Sequence, residues 1–207
     1  MLCKLLNGDG LASEGPTDER AGQIVRYHKT ITLRDGRQCV LRNGTAEDAR
    51  AALDSFNLTH AETDYLLTYP DEGGLTLEGE AEYLQGRAES EDEIEILAEV
   101  GGSIVGSAGV GRVGSKEKLR YRAELGIGIE RAYWGLGIGR ALVEACIECA
   151  RAVGYAQLEL EVVADNERAV VLYQSAGFVE YGRNPRGFRT RRGDWQELVL
   201  MRLELDE

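Results

Sequence analysis

The stretch from Leu125 to Gly139, LGIGIERAYWGLGIG, constrains this chain more than any other. An apolar strand runs into glycines at 135, 137 and 139 and then directly into a helix. Glycines at alternate positions let the backbone take positive φ and approach a ligand closely, while the free N–H groups of the opening helical turn point at an anion. The pattern predicts a phosphate cradle between a strand and a helix, with contacts from Gly135, Leu136, Gly137, Ile138, Gly139 and Arg140. Two other owners of glycine-rich loops fit poorly. No Gly-Lys-Ser/Thr follows, because Gly139 leads to Arg140 and Ala141, so a triphosphate-binding P-loop is excluded. The dinucleotide fingerprint wants its first glycine at the strand end, whereas Glu130 to Trp134 intervene here. A glycine-rich turn without a ligand remains the bland alternative, although three glycines would weaken the helix they open.

The strand before the loop carries a second signal. Alternation puts Leu125, Ile127 and Ile129 on one face and Glu124, Gly126, Gly128 and Glu130 on the other. Paired glycines on one face weaken a strand, and either a ligand or a helix packed close against that face accounts for them.

Around this centre the chain reads as a flexible lead-in over 1–22 and one domain over 23–207, a size that supports a substantial core. CVLRN at 39–43 reads as a first strand. Thr45 with Asp48 three residues on forms a capping box for a helix through about Phe56. Further helices are expected over His60–Leu67 and Leu77–Arg87, separated by Pro70 and Gly73-Gly74. Strands near 93–100 and 103–113 flank Gly101-Gly102, a two-residue hairpin signal, and a third over 120–129 completes a meander. A helix over 138–153, a strand over 156–163, a helix over 166–176 and strands near 178–183 and 195–204 follow. The fold class is therefore mixed α+β.

Charge and cysteines narrow the function. A net charge of −12 opposes binding to nucleic acid. The one dense basic run, Arg183 to Arg192, reads as a solvated turn, and the acidic clusters at 78–82 and 89–95 read first as solubility and second as steering for a cationic amine. No apolar run of 18 residues and no basic-then-apolar leader stand in the sequence, which points to a cytosolic protein without a membrane partner. Cys146 and Cys149 form a C-x-x-C, yet they fall on the apolar face of the 138–153 helix, and with only His28 and His60 elsewhere no metal site is expected.

Residues 158–178, LELEVVADNERAVVLYQSAGF, complete the pattern. Glu161, Val162, Asn166, Ala169, Leu172, Tyr173, Gly177 and Phe178 match, in order, the strand and helix that follow the pyrophosphate loop of the GCN5-related N-acetyltransferases, a family this chain resembles over about 37–205. The departure is Trp134, where the family has Arg or Gln before the loop. Because main-chain N–H groups do most of the phosphate binding there, an aromatic should pack the loop and leave binding intact.

The resemblance implies a central mixed, mostly antiparallel sheet that splays between its middle strands, acetyl-coenzyme A as co-substrate, no metal, and transfer of the acetyl group to an amine on a small molecule or protein. It is compatible with a homodimer. It implies that the pantetheine arm bonds to the backbone of Ile127, Gly128 and Ile129 and that Asn166 adds a side-chain hydrogen bond to it, besides capping its helix. Tyr173 matches the general acid that protonates the leaving thiolate. For the base that accepts a proton from the amine, Glu161 matches the ribosomal-protein alanine acetyltransferases and Glu124 the branches that place it one strand earlier, and the third alternative is that neither serves and water or an N-terminal residue does the work. A non-catalytic acyl-CoA sensor with the same fold is the alternative. Acceptor choice falls to 56–70, NLTHAETDYLLTYP, and to the loop before the last strand, and these segments name no particular amine.

Overall fold

The computed structural model describes residues 24–72 and 76–205. The segment 1–22, Cys3 within it, and the Gly73-Gly74 pair lie outside those residues. The elements run β1 (His28–Thr32), β2 (Gln38–Asn43), α1 (Ala49–Glu62), α2 (Leu77–Glu89), β3 (Ile94–Val100), β4 (Ser103–Arg112) and β5 (Arg122–Ile129). They continue with α3 (Ile138–Val153), β6 (Gln157–Val163), α4 (Glu167–Ser175), β7 (Val179–Arg189) and β8 (Trp195–Glu204). The strands form an eight-stranded sheet in the order β1-β2-β3-β4-β5-β6-β8-β7. Every neighbouring pair is antiparallel except β5 and β6, which are parallel.

Local chemistry explains the starts and turns. Thr45 and Asp48 close the expected capping box, and Arg42 from β2 grips the same Asp48 carboxylate with two bonds of 2.8 and 2.7 Å, which ties the helix start to the sheet. Gly101 and Gly102 both take positive φ, 61° and 84°, as the tight β3–β4 hairpin demands. On one side of the sheet, Leu142, Val143, Cys146 and Cys149 of α3 join Ile96, Val110, Leu125 and Leu160 in the main core. The C-x-x-C cysteines are thus core residues, and burial pushes the Cys149 thiol up to about 12. On the other side, α1 and α2 bring Ala49, Ala52 and Leu84 onto Leu97 and Ile104.

Four expectations need correction. β1 was not expected; it is a short edge strand whose residues are almost all exposed, so it has no burial pattern to read. The helix expected over His60–Leu67 does not form. Instead α1 runs on to Glu62 and ends at Thr63 in extended conformation. The following chain is held from a distance, the Asp64 carbonyl accepting from Gln196 at 3.0 Å and the Tyr69 hydroxyl accepting from the Arg191 N–H at 3.0 Å. β7 extends through Arg189, so most of the basic run is strand rather than turn, stabilised by pairing with β8. Finally, Gly139 lies inside α3 and does not use positive φ. Its lack of a side chain serves packing, since a Cβ there would stand 3.2 Å from Leu172 and 3.4 Å from Ile129.

Candidate active site

β5 and β6 pair only through Arg122–Glu124 against Gln157–Glu159. Past that point β5 stays with β4 as far as Ile129 opposite Gly106, and β6 stays with β8 as far as Val163 opposite Leu198. Each strand keeps its outer partner, so a seam opens between Leu125–Ile129 and Leu160–Val163. Glu130 donates to the Val105 carbonyl at 3.0 Å, on the β4 side. Backbone groups alternate sides along a strand, so those of Ile127 and Ile129 face the seam and those of Gly128 face β4. Exposed backbone groups along such a seam are a template for an extended ligand. Beside Gly128, Thr59 of α1 would stand 3.6 Å from an added Cβ, so helix packing leaves room at that position.

The glycine loop closes the open end of the seam. Gly135 and Gly137 take φ of 78° and 105°, and Gly137 is the N-cap of α3. The N–H groups of Ile138, Gly139 and Arg140 belong to the first helical turn and have no intrahelical acceptor. Arg34 turns the loop's carbonyls away from that end, its side chain donating to Gly135 and its N–H to Leu136, both at 3.1 Å. The Arg140 side chain bonds Glu144 at 2.7 Å, so its offering to the cradle is the main chain. These groups fit an anion of pyrophosphate size.

Trp134 packs the loop, as its chemistry suggested. Its indole N–H donates to the Ile129 carbonyl at 2.7 Å, and the guanidinium groups of Arg131 and Arg168 both lie 5.4 Å from its ring. The Arg168 guanidinium also reaches within 3.6 Å of the place a Cβ on Gly135 would occupy. Positive charge missing at position 134 is therefore supplied in space by Arg131 and Arg168. Arg34 and Arg168 escaped the sequence reading, since one lies 101 residues before the loop and the other is an unremarked helix arginine.

Asn166 caps α4, its side-chain oxygen accepting from Ala169 at 3.3 Å. About two helical turns later, Tyr173 is buried against Phe178, ring centroids 5.9 Å apart and edge-on. Its hydroxyl has no hydrogen-bond partner among the described residues, and burial holds the phenol well above its usual range.

The carboxylates separate by position. Glu124 sits at the closed end of the seam, in register with Glu159, which Arg122 holds at 2.8 Å. Glu161 lies two residues further along β6, where the strands have parted, exposed and beside Tyr181. Burial marks a different pair. Glu95 of β3 is fully enclosed beneath α2, accepting from the Tyr83 hydroxyl at 3.0 Å, and its carboxyl is pushed upward chiefly by burial. Glu80 of α2 is pushed up to about 7 by burial and then by the charge of Glu95. A Cβ on Gly109 would collide with the Glu95 carboxylate, so that glycine makes room for it.

Beside the seam, His60, Glu62, Asp64, Tyr65, Tyr69 and Arg192 line an open depression of about 580 Å³. Arg131 links it to the glycine loop: its N–H donates to the Glu62 carboxylate at 2.6 Å and its side chain to the Glu62 carbonyl. Burial holds the His60 imidazole below its usual range. No cluster of His, Cys, Asp or Glu able to hold a metal occurs among the described residues, and none of their helices is long and apolar enough to cross a membrane.

A mixed sheet parted at its parallel seam, with a helix N-terminus and a positive-φ glycine loop at the mouth, is the acetyltransferase architecture that the resemblance implied. The family model of the acetyltransferase (GNAT) family matches residues 58–178, and the chain belongs to that family. Among curated relatives, it is 38% identical over 97 residues to the N-alpha-acetyltransferase RimI of Mycobacterium tuberculosis, covering 47% of this chain and 59% of that one. To the L-amino acid N-acyltransferase MnaT of Escherichia coli it is 30% identical over 112 residues, covering 54% of this chain and 64% of that one. These alignments thus span less than two thirds of the relatives' lengths. A solved GNAT-family acetyltransferase from Streptococcus pneumoniae superposes with a TM-score of 0.77 at 32% identity, covering 80% of this chain and 99% of that chain.

Proposed function

We propose that this protein transfers an acetyl group from acetyl-CoA to a primary amine by direct attack within a ternary complex. The observation that carries the reading is the parted β5–β6 seam with the bare N-terminus of α3 at its mouth. The first turn of α3 with Gly135 and Leu136 would hold the pyrophosphate, Ile127 and Ile129 the pantetheine arm along the seam, and Asn166 its amide. Acetyl-CoA supplies an activated thioester. Tyr173 is protonated at neutral pH like any phenol, and burial only strengthens that state, which is the form required to protonate the departing thiolate. Glu161 accepts the proton of the attacking amine; its place beyond the last paired position favours it over Glu124, which lies where the strands still touch. The relatives' printed names run from an N-alpha-acetyltransferase to L-amino acid and mycothiol acyltransferases, which supports an acceptor amine on a protein or on a small molecule.

The test is release of coenzyme A thiol from acetyl-CoA across amines and peptides with free N-termini. Tyr173→Phe is expected to lower kcat by about 10² with acetyl-CoA affinity retained. Glu161→Gln should lose turnover more than Glu124→Gln. Unchanged kcat in Tyr173→Phe would remove it from the acid role, and binding without turnover of any amine would favour a non-catalytic acyl-CoA-binding module.

A further inference from the structure

Residues 183–192, RNPRGFRTRR, hold five arginines and no acid in a chain of net charge −12. The fold sorts these arginines into two groups. Arg183 is neutralised by Glu180 at 2.7 Å and Glu197 at 3.0 Å, and Arg191 by Asp71 at 2.7 Å while it stacks on Tyr69. These two fasten the β7–β8 hairpin to itself and to the loop after α1. Arg186, Arg189 and Arg192 have no carboxylate partner among the described residues. Arg186 and Arg189 nevertheless have defined positions, with guanidinium groups 5.6 and 5.5 Å from the ring of Trp195, which is itself 49% exposed. Arg192 stands on the wall of the depression that also holds Glu62 and Asp64.

Two cations gathered on one exposed aromatic repel each other and lose rotamer freedom, a cost that an anion lying across them offsets. Building on the acetyltransferase reading above, we propose that this hairpin docks an acidic stretch of a polypeptide acceptor whose amine enters the depression beside Glu62 and Asp64. Arg186 and Arg189 meet at the Trp195 ring because β7 bulges between Asn184 and Phe188, while Arg192 stands beyond them in the turn, on the wall of the depression. A ligand touching all three must therefore be extended over several residues, which a free amino acid is not. A long phosphate chain is the other polyanion that these cations could hold, and competition by RNA separates the two.

The experiment compares acceptor peptides that share the same free N-terminal residues and continue with either an Asp/Glu-rich or a Ser/Asn-rich tail, using the full chain at low and high salt. The acidic peptide is expected to show a KM about tenfold lower at low salt, with most of that advantage lost at high salt. In the double variant R186Q/R189Q the advantage should disappear, while kcat on the neutral peptide and the acetyl-CoA Kd stay as in the wild type. Equal kcat/KM for the two peptides, or a preference that survives in the variant, would overturn the proposal. So would an RNA oligomer that competes more strongly than the acidic peptide. Fluorescence anisotropy of labelled acidic and neutral peptides measures docking without turnover, so a chain that turns over no amine would sink the catalytic reading and leave docking to be decided by that binding difference.

Discussion

At the scale of single residues, the glycines of the loop do different jobs, and mutation separates them. Gly137 caps α3 with φ of 105°, a conformation that a β-branched side chain resists. Gly137→Val is expected to abolish acetyl-CoA binding in a calorimetric titration; micromolar affinity in that variant would mean that the cradle lies elsewhere. Gly139 is helical and meets only flexible side-chain ends at 3.2 and 3.4 Å, so Gly139→Ala should weaken binding far less. Trp134 shows how one substituted motif position is absorbed. Its ring fills the loop and bonds Ile129, and Arg131 and Arg168 bring the charge that the position itself lacks.

At the scale of elements, the joint between α2 and the sheet contains a pH-sensitive contact. Glu80 on α2 faces Glu95 on β3, and both are buried. A carboxyl whose folded pKa is raised keeps its proton in the native state. Its contribution to stability is complete below the ordinary value of 4.5 and is lost as pH rises through about 7. The loss is on the order of a few kcal/mol. Glu80→Gln removes the charge and keeps the shape, so urea unfolding should show wild type losing stability relative to this variant between pH 4.5 and 7. A constant difference across that range would show that Glu80 does not titrate there. The same α2 surface explains Gly109, a strand glycine whose missing side chain accommodates Glu95. No local pattern in either segment signals that pairing, because the two carboxylates approach only when helix and sheet pack.

At the scale of the whole molecule, the seam makes two half-sheets, β1 to β5 and β6 to β8, joined by three paired positions on each strand. A ligand extended along the seam would bridge them. Acetyl-CoA at about one hundred times its Kd is expected to raise the unfolding free energy by about 2.7 kcal/mol. Hydrogen exchange should slow at Ile127 and Ile129 and along 160–163. Protection confined to the α3 loop would place only the phosphates in the site and leave the seam out of binding.

The sequence by itself determined the glycine-opened α3, the β3–β4 hairpin, the capping box at Thr45, the core role of Cys146 and Cys149, and the family. Each is a local matter of periodicity, turn chemistry or short spacing, and the helix over 138–153 agrees to the residue. Only tertiary structure decided what depends on partners distant in the chain. Arg34 reaches the loop across 101 residues, and Arg122 ties Glu159 across 37. The segment after Glu62 is drawn out of helical form by Gln196 and Arg191, and edge strand β1 exists because β2 lies beside it. The seam itself belongs to this class. Leu125–Ile129 and Leu160–Val163 both read as ordinary strands, and they part because β4 and β8 hold their outer edges, a competition for pairing that exists only once the sheet is assembled.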